Sequence, residues 1–117
     1  MHGSGADQPQ PVGLLIAPEV TGDWIRLRLS GYVDLSNAHE LGRAVDEALE
    51  RGDHVELDLS ELSFADSTGL REFVLGYHHA QEAGRGYRVT GAQGAVRQVL
   101  ELAGMLDFLS TGVPAAG

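Results

Sequence analysis

Residues 64–70, with the sequence FADSTGL, place a carboxylate beside two hydroxyl groups where an alternating strand gives way to helical spacing. Side chains of this kind accept hydrogen bonds from the first N–H groups of a helix, and either Asp66 or Ser67 is a suitable N-cap. Gly69 would permit a close approach in the first turn. Taken alone the segment therefore predicts a capped helix start, in which the Ser67 hydroxyl is the group that could act as a nucleophile.

A second acidic residue, Asp34, ends the segment 31–34 (GYVD). If the strands that lead to Asp34 and to Asp66 are parallel, both residues lie at the carboxyl edge of the sheet, together with Ser67. Sites of open α/β sheets gather at that edge. The alternative interpretation makes Asp34 a turn residue leading to Ser36, which we expect to cap the next helix.

A Ser–His–Asp hydrolase is the enzymatic alternative, and the pattern disfavours it. Ser67 does not lie in a G-x-S-x-G elbow, and His78 and His79 lie about 15 Å further along the same predicted helix. These adjacent histidines point about 100° apart, so they cannot chelate one metal ion as an i, i+4 pair would. Residues 84–86 (GRG) lack the Lys-Ser/Thr and the following helix of a phosphate-binding loop. We therefore expect no catalytic residue, no metal and no cofactor.

The hydrophobic periodicity predicts the elements that position these residues. A turn at residues 21–23 joins the first two strands into an antiparallel hairpin. Later strands are about 30 residues apart, which suits right-handed βαβ units and a parallel core. The order is β-β-α-β-α-β-α-β in one α/β domain with a mixed sheet. The predicted strands are residues 14–16, 24–30, 54–59, 87–89 and 108–109, and the predicted helices follow residues 36, 69 and 95.

The strands alternate between apolar and polar residues, so we expect the helices mainly on one face of the sheet. On the polar face, Arg26 and Arg28 would lie near Glu56 and Asp58 if their strands are neighbours, as surface pairs worth about 0–1 kcal/mol each. The apolar stripe of the second helix is predicted to be Leu70, Phe73, Val74, Tyr77 and Ala80.

Composition excludes several classes of function. The 117 residues contain 8 basic residues, all of them Arg, against 17 acidic ones, for a net charge of −9. That balance disfavours nucleic acid and anionic membranes as partners. The chain has no cysteine, which excludes disulfides and thiol nucleophiles. We find no membrane-spanning run and no secretory signal, and we expect a cytoplasmic protein.

Glycine and proline mark the expected domain limits. Residues 1–12 are polar, rich in Gly and Pro, and without period, so we expect a flexible N-terminal arm. Residues 13–111 carry the periodic segments and are predicted to form the single domain. Residues 112–117 are expected to be a flexible tail.

Several motifs together resemble a known family. Gly31-x-x-Asp34-Leu35-Ser36, the strand 55–59, residues 66–70 (DSTGL) and residues 95–104 (AVRQVLELAG) stand in the order and spacing of a STAS domain. The resemblance is to the stand-alone anti-sigma-factor antagonists and extends over nearly all of residues 13–111. Each motif is short, but their order matches the predicted alternation of strands and helices.

The resemblance implies a function. Such proteins bind an anti-sigma factor that is also a serine kinase with a histidine-kinase-like ATP-binding fold, and a serine phosphatase reverses the phosphorylation. Ser67 occupies the phosphoacceptor position, preceded by Asp66, and Asp34 matches the neighbouring acidic residue. Thr68 and Gly69 complete the motif, and Thr68 is a possible minor acceptor. Free N–H groups at the helix start are expected to hold the phosphate.

The sequence also departs from the family pattern. Tyr32 and Val33 stand where many relatives have Glu-Leu or Glu-Ile, and Arg71 stands where many have Gly. Arg71 would either pair with a phosphate on Ser67, contact the partner, or be an exposed helix residue. The alternative function is a STAS module that acts as a scaffold in a stress-signalling or lipid-transport complex, without a Ser67 switch.

Overall fold

The computed structural model describes residues 13–105, and the predicted strand at residues 108–109 lies outside them. Seven elements follow one another in the order β-β-α-β-α-β-α. They are β1 (Leu14–Thr21), β2 (Trp24–Val33), α1 (Ala38–Glu50), β3 (His54–Ala65), α2 (Ser67–Ala83), β4 (Tyr87–Thr90) and α3 (Gly94–Leu102).

The sheet has the predicted mixed topology. Its strand order is β1-β2-β3-β4, with β1 antiparallel to β2 and the other neighbours parallel. The β1–β2 hairpin turns at Gly22, whose φ of 71° is a conformation that glycine adopts without strain. None of the helices among residues 13–105 has both the length and the apolar character needed to cross a membrane.

One hydrophobic core joins alternate strand residues to the buried sides of all three helices. Leu57 and Phe73 lie at its centre with no exposed surface. Its strand members include Ile25, Leu27, Leu29, Val55, Leu57, Leu59, Tyr87 and Val89, and its helix members include Leu41, Val45, Phe73, Ala80, Val96 and Leu100.

The opposite side of the strands carries the expected charged pairs. Arg26 is in register with Glu56 and Arg28 with Asp58. The Nε atoms of the two arginines lie 3.4 Å from Glu56 Oε2 and 3.6 Å from Asp58 Oδ2. β2 and β3 are neighbours, so the pairs expected in that case are present, although Glu56 is buried rather than at the surface.

Glu56 is the most enclosed of these charges. Arg88 Nη2 donates to its Oε1 at 3.0 Å and Thr90 Oγ1 donates to its Oε2 at 2.7 Å, while Arg88 stacks over the ring of Trp24. Burial by itself would raise the pKa of Glu56. Hydrogen bonds from Thr90 and Arg88 and the charges of Arg88 and Arg26 outweigh burial, so this pKa is lowered.

β3 extends six residues beyond its predicted end, through residues that were expected to form a loop. Its register with β2 shifts twice, between Arg28 and Ser30 and again between Gly31 and Tyr32. Each shift inserts an extra residue into β3. The insertions break the period-two alternation, so the continuation of the strand lost its sequence pattern.

Two local predictions are wrong. α1 begins at Ala38 with Asn37 at the N-cap, rather than Ser36. In α2 the glycines Gly69 and Gly76 are buried with Phe73 and Ala80, whereas Val74 lies outside the core. A Cβ on Gly76 would lie 2.6 Å from the Tyr87 hydroxyl, so α2 packs closely through its glycines. The predicted stripe is therefore wrong at Val74 and lacks the two glycines, while Leu70 and Tyr77 pack against the core as expected.

Candidate functional site

Asp34 and Asp66 lie at one edge of the sheet, because each directly follows the last residue of one of two neighbouring parallel strands. Val33 at the end of β2 is in register with Ala65 at the end of β3. The N–H of Asp66 donates to the carbonyl of Val33 at 3.2 Å, which ties the two strand ends together. The carboxyl edge inferred from the sequence is thus formed by these residues and by the first turn of α2.

Asp66 is the N-cap of α2. Its Oδ1 accepts hydrogen bonds from the N–H groups of Thr68, at 2.9 Å, and Gly69, at 3.0 Å. The N–H of Leu70 donates to the carbonyl of Asp66 at 3.0 Å. Of the two N-cap candidates, Asp66 rather than Ser67 has this role. These N–H groups are consequently occupied, which corrects the expectation that they are free to hold a phosphate.

Ser67 is the first residue of α2 and its side chain is exposed. Within residues 13–105 its hydroxyl has no hydrogen-bond partner. No histidine or carboxylate in this part of the chain activates it as a hydrolase triad would. The hydroxyl is therefore open to a reagent or to another protein.

Asp34 shapes the turn between β2 and α1. Its Oδ1 accepts from the Ser36 N–H at 2.9 Å and from the Ser36 hydroxyl at 2.6 Å. The Asp34 N–H donates to Asn37 Oδ1 at 2.9 Å, and Asn37 Nδ2 donates to the Tyr32 carbonyl at 3.0 Å. This small network holds Asp34 in place beside the start of α1.

Gly69 allows α2 to approach the strand ends. A Cβ at this position would lie 3.2 Å from the Cβ atoms of Ala65 and Val33. Such distances are shorter than most side-chain contacts, so any larger residue would push the first turn of α2 away from β2 and β3. The close approach keeps Asp66 and Ser67 against the sheet edge.

Arg71 lies one helical turn after Ser67. Its side chain is exposed and, within the described residues, forms neither a hydrogen bond nor an ion pair. Thr68 is partly buried, and its N–H is one of the two held by Asp66. Of these two residues, Arg71 has the greater freedom to meet a ligand.

Two large apolar side chains at this edge were not predicted as site residues. Leu35, directly after Asp34, is 80% exposed, and Phe64, two residues before Asp66, is 48% exposed. Phe64 is in register with Tyr32 on the neighbouring strand. Single exposed apolar residues are common on protein surfaces, so these two become candidate contact residues only through their position at the edge that carries Ser67. In the sequence, the only indication for Leu35 was its position in the turn between β2 and α1, where a large apolar residue has no predicted core contact.

A concave region lies between α1 and α2. It is a groove of about 280 Å³ that His39, Asp46, Glu72 and His79 help to line. His79 Nδ1 lies 2.9 Å from Asp46 Oδ1, which links the two helices. No group of three metal-ligating side chains occurs among residues 13–105.

Comparison with known proteins gives the family. The model of a family described as "Mlab, STAS domain" matches residues 16–110. An anti-sigma factor antagonist from Mycobacterium paratuberculosis is 24% identical over 88% of this chain and 87% of that chain, with a TM-score of 0.69. The Bacillus cell fate determinant SpoIIAA, in its phosphorylated form, is 20% identical over 83% and 89%, with a TM-score of 0.63.

An antisigma-factor antagonist STAS domain from Rhodobacter sphaeroides is 19% identical over 70% of this chain and 90% of that chain, with a TM-score of 0.57. At these identities the likeness to solved structures shows the fold. The family model covers most of the sequence, from β1 to beyond α3. The chain therefore belongs to the STAS domain family.

Proposed function

We propose that this chain is an anti-sigma-factor antagonist, that it binds an anti-sigma serine kinase, and that phosphorylation of Ser67 turns it off. The observation that carries the proposal is the position of Ser67. Its hydroxyl is exposed, has no partner within residues 13–105, and directly follows Asp66 at the sheet edge where Asp34 also lies. The functional domain is taken to be residues 13–111, and it acts by binding rather than by catalysis.

The comparisons support this proposal through the proteins that share the fold. Several of those structures are anti-sigma factor antagonists. SpoIIAA is represented in an unphosphorylated and a phosphorylated form, with TM-scores of 0.62 and 0.63 to this chain. The fold is therefore shared by both forms of that protein.

The modification itself is a simple phosphoryl transfer. The Ser67 oxygen forms a bond to the γ-phosphorus of ATP while the bond to the bridging oxygen of ADP breaks. The hydroxyl proton passes to a base of the kinase. A serine phosphatase would restore the hydroxyl by hydrolysis. Because Ser67 begins a helix and is exposed, the kinase can reach it without unfolding the domain.

Phosphorylation would act on the partner through charge. A phosphate adds about −1.5 to −2 charge at pH 7, beside the carboxylates of Asp34 and Asp66. A kinase surface fitted to a hydroxyl and these carboxylates would have to desolvate an additional dianion. A penalty of about 3 kcal/mol weakens binding roughly a hundredfold. Leu35 and Phe64 would supply apolar contact area in both states.

The first experiment compares two baits in lysate of the native host. We expect Ser67→Ala to capture an ATP-binding protein of the histidine-kinase type and Ser67→Glu to lose it. Gln98→Glu is the matched control. Gln98 is exposed on α3, so its replacement adds the same negative charge on a different element. Equal capture by Ser67→Ala and Ser67→Glu would contradict a switch at Ser67.

The second experiment tests the phosphoacceptor directly with the captured kinase and labelled ATP. Label should enter the wild-type chain and Thr68→Ala, and it should be absent from Ser67→Ala. Incorporation of label into Ser67→Ala would show that the kinase phosphorylates a residue other than Ser67. Circular dichroism of both variants confirms that the fold is intact before the transfer is measured.

The second candidate is a STAS module that acts as a scaffold in a larger stress-signalling or lipid-transport complex, without a Ser67 switch. One observation favours this candidate: the matching family model is described as Mlab and not as an anti-sigma-factor antagonist. In that case both baits would capture the same proteins, and no kinase would be among them.

A further inference from the structure

A phosphate on Ser67 would find the start of α2 already occupied. Helix starts bind anions through unpaired N–H groups, but Asp66 Oδ1 holds those of Thr68 and Gly69, and the Leu70 N–H is bonded to the Asp66 carbonyl. Within the described residues, the Ser67 N–H is the remaining unpaired donor of this turn. Apart from that one N–H group, the phosphate would have to displace Asp66 or pair with a cationic side chain.

The surroundings of Ser67 make an unpaired dianion unfavourable. Asp66 immediately precedes it, and Asp34 follows the neighbouring strand at the same edge. Both carboxylates are fixed by hydrogen bonds, so neither can turn away without losing them. A cation within reach would relieve this repulsion.

Arg71 lies at a helical spacing from Ser67 that suits such a pair. Residues four apart on a helix have Cβ atoms about 5–6 Å apart, and an acidic group that precedes a basic one at this spacing is the favourable orientation. Ser67 and Arg71 are both exposed. Arg71 has no competing ion pair within residues 13–105, in contrast to Arg97, which is already paired with Glu101 at the same spacing.

We infer that Arg71 binds the phosphate of Ser67 within the same chain and holds it on the surface of the first turn of α2, while Asp66 keeps the cap. This inference rests on the proposed function, since it describes the phosphorylated state. The planar guanidinium offers two parallel donors to phosphate oxygens. Phosphorylation then changes the charge of the edge without unwinding α2.

The test uses the whole chain with phosphoserine installed at position 67 during translation, so that no kinase is required. The midpoint of the second phosphate ionisation is followed by phosphorus NMR. A nearby cation favours the dianion, so the midpoint should be lower than in Arg71→Gln by roughly 0.3 pH units. The difference should shrink at high salt, as expected for an exposed pair.

Two further variants make the result specific. Arg85→Gln removes the same charge beyond the other end of α2, roughly 25 Å from position 67, and should leave the midpoint unchanged. Arg71→Lys should restore part of the difference, because an ammonium keeps the charge but not the planar fork. Equal midpoints in the wild-type chain and Arg71→Gln, or equal shifts from Arg71→Gln and Arg85→Gln, would overturn the inference.

A second readout follows Asp66. If Arg71 holds the phosphate, the amide protons of Thr68 and Gly69 should keep their exchange protection when Ser67 is phosphorylated. Loss of that protection would mean that the phosphate displaces Asp66 instead. Because phosphoserine is installed directly, this result is independent of whether any kinase acts on Ser67, which the labelled-ATP experiment decides.

Discussion

The carboxylate of Asp66 supports the start of α2, and its removal should cost measurable stability. In Asp66→Ala the N–H groups of Thr68 and Gly69 lose their acceptor. Replacing a good N-cap by Ala costs about 0.5–2 kcal/mol of stability. The interaction of a negative charge with the helix start is worth about 0.3–1 kcal/mol. Asp66→Asn retains a capping oxygen, so it should lose less than about 1 kcal/mol.

The assay is urea denaturation followed by far-UV circular dichroism, together with thermal unfolding. For a domain of this size, a loss of about 1 kcal/mol lowers Tm by roughly 4–8 °C. Glu82→Ala is the matched control, because Glu82 is exposed on the same helix and has no side-chain partner within the described residues. The capping argument is refuted if Asp66→Ala is as stable as Glu82→Ala. It is also refuted if Asp66→Asn lowers the free energy of unfolding as much as Asp66→Ala does.

The remaining predictions concern packing and pH. Gly69→Ala should destabilise the domain by about 1–3 kcal/mol in urea denaturation, because its methyl group would crowd Val33 and Ala65; an unchanged midpoint would contradict this. Leu57→Ala should cost about 2–5 kcal/mol by the same measurement, since Leu57 is fully buried, and a cost below that range would place it outside the core. Glu56 and Asp58 have lowered pKa values, because hydrogen bonds and arginine charges outweigh burial. The two ionised carboxylates contribute to the stability of the folded state at pH values above their ordinary pKa values of 4.5 and 3.8. This stability is lost as the pH falls through the lower pKa values of the folded state. Denaturation series from pH 7 to 3 should therefore show falling stability, and the fall should be smaller in Glu56→Gln.

Much of the fold follows from periodicity, because burial on one face leaves a direct trace in the sequence. The alternation of Ile25, Leu27 and Leu29 predicted the buried face of β2, and the charged residues between them lie on the opposite face. Gly52 and Gly84, which directly follow the last turns of the first two helices, have positive φ, a conformation typical of helix ends. These features depend on near neighbours along the chain, which a single sequence displays.

The features that the sequence did not predict depend on contacts between distant segments. The register shifts of β3 against β2 break the alternation after Leu59, so the apolar pattern of residues 54–59 does not continue in phase through residues 60–65. The N-cap at Asn37 follows from its bonds to Tyr32 and Asp34 across the turn. Likewise, Gly76 is buried because Tyr87 approaches it from β4.

The structure also reconciles two interpretations of the acidic residues that the sequence presents as alternatives. Asp34 accepts both of its side-chain hydrogen bonds through Oδ1, and Asp66 accepts both of its bonds through Oδ1. Within residues 13–105, Oδ2 of each carboxylate has no partner. One oxygen can therefore fix the turn while the other faces a binding protein, since a carboxylate has acceptor sites on both oxygens. A structural role for Asp34 and Asp66 is compatible with the proposed partner contact, because the bonds that stabilise each turn use Oδ1 and leave Oδ2 without a partner within residues 13–105.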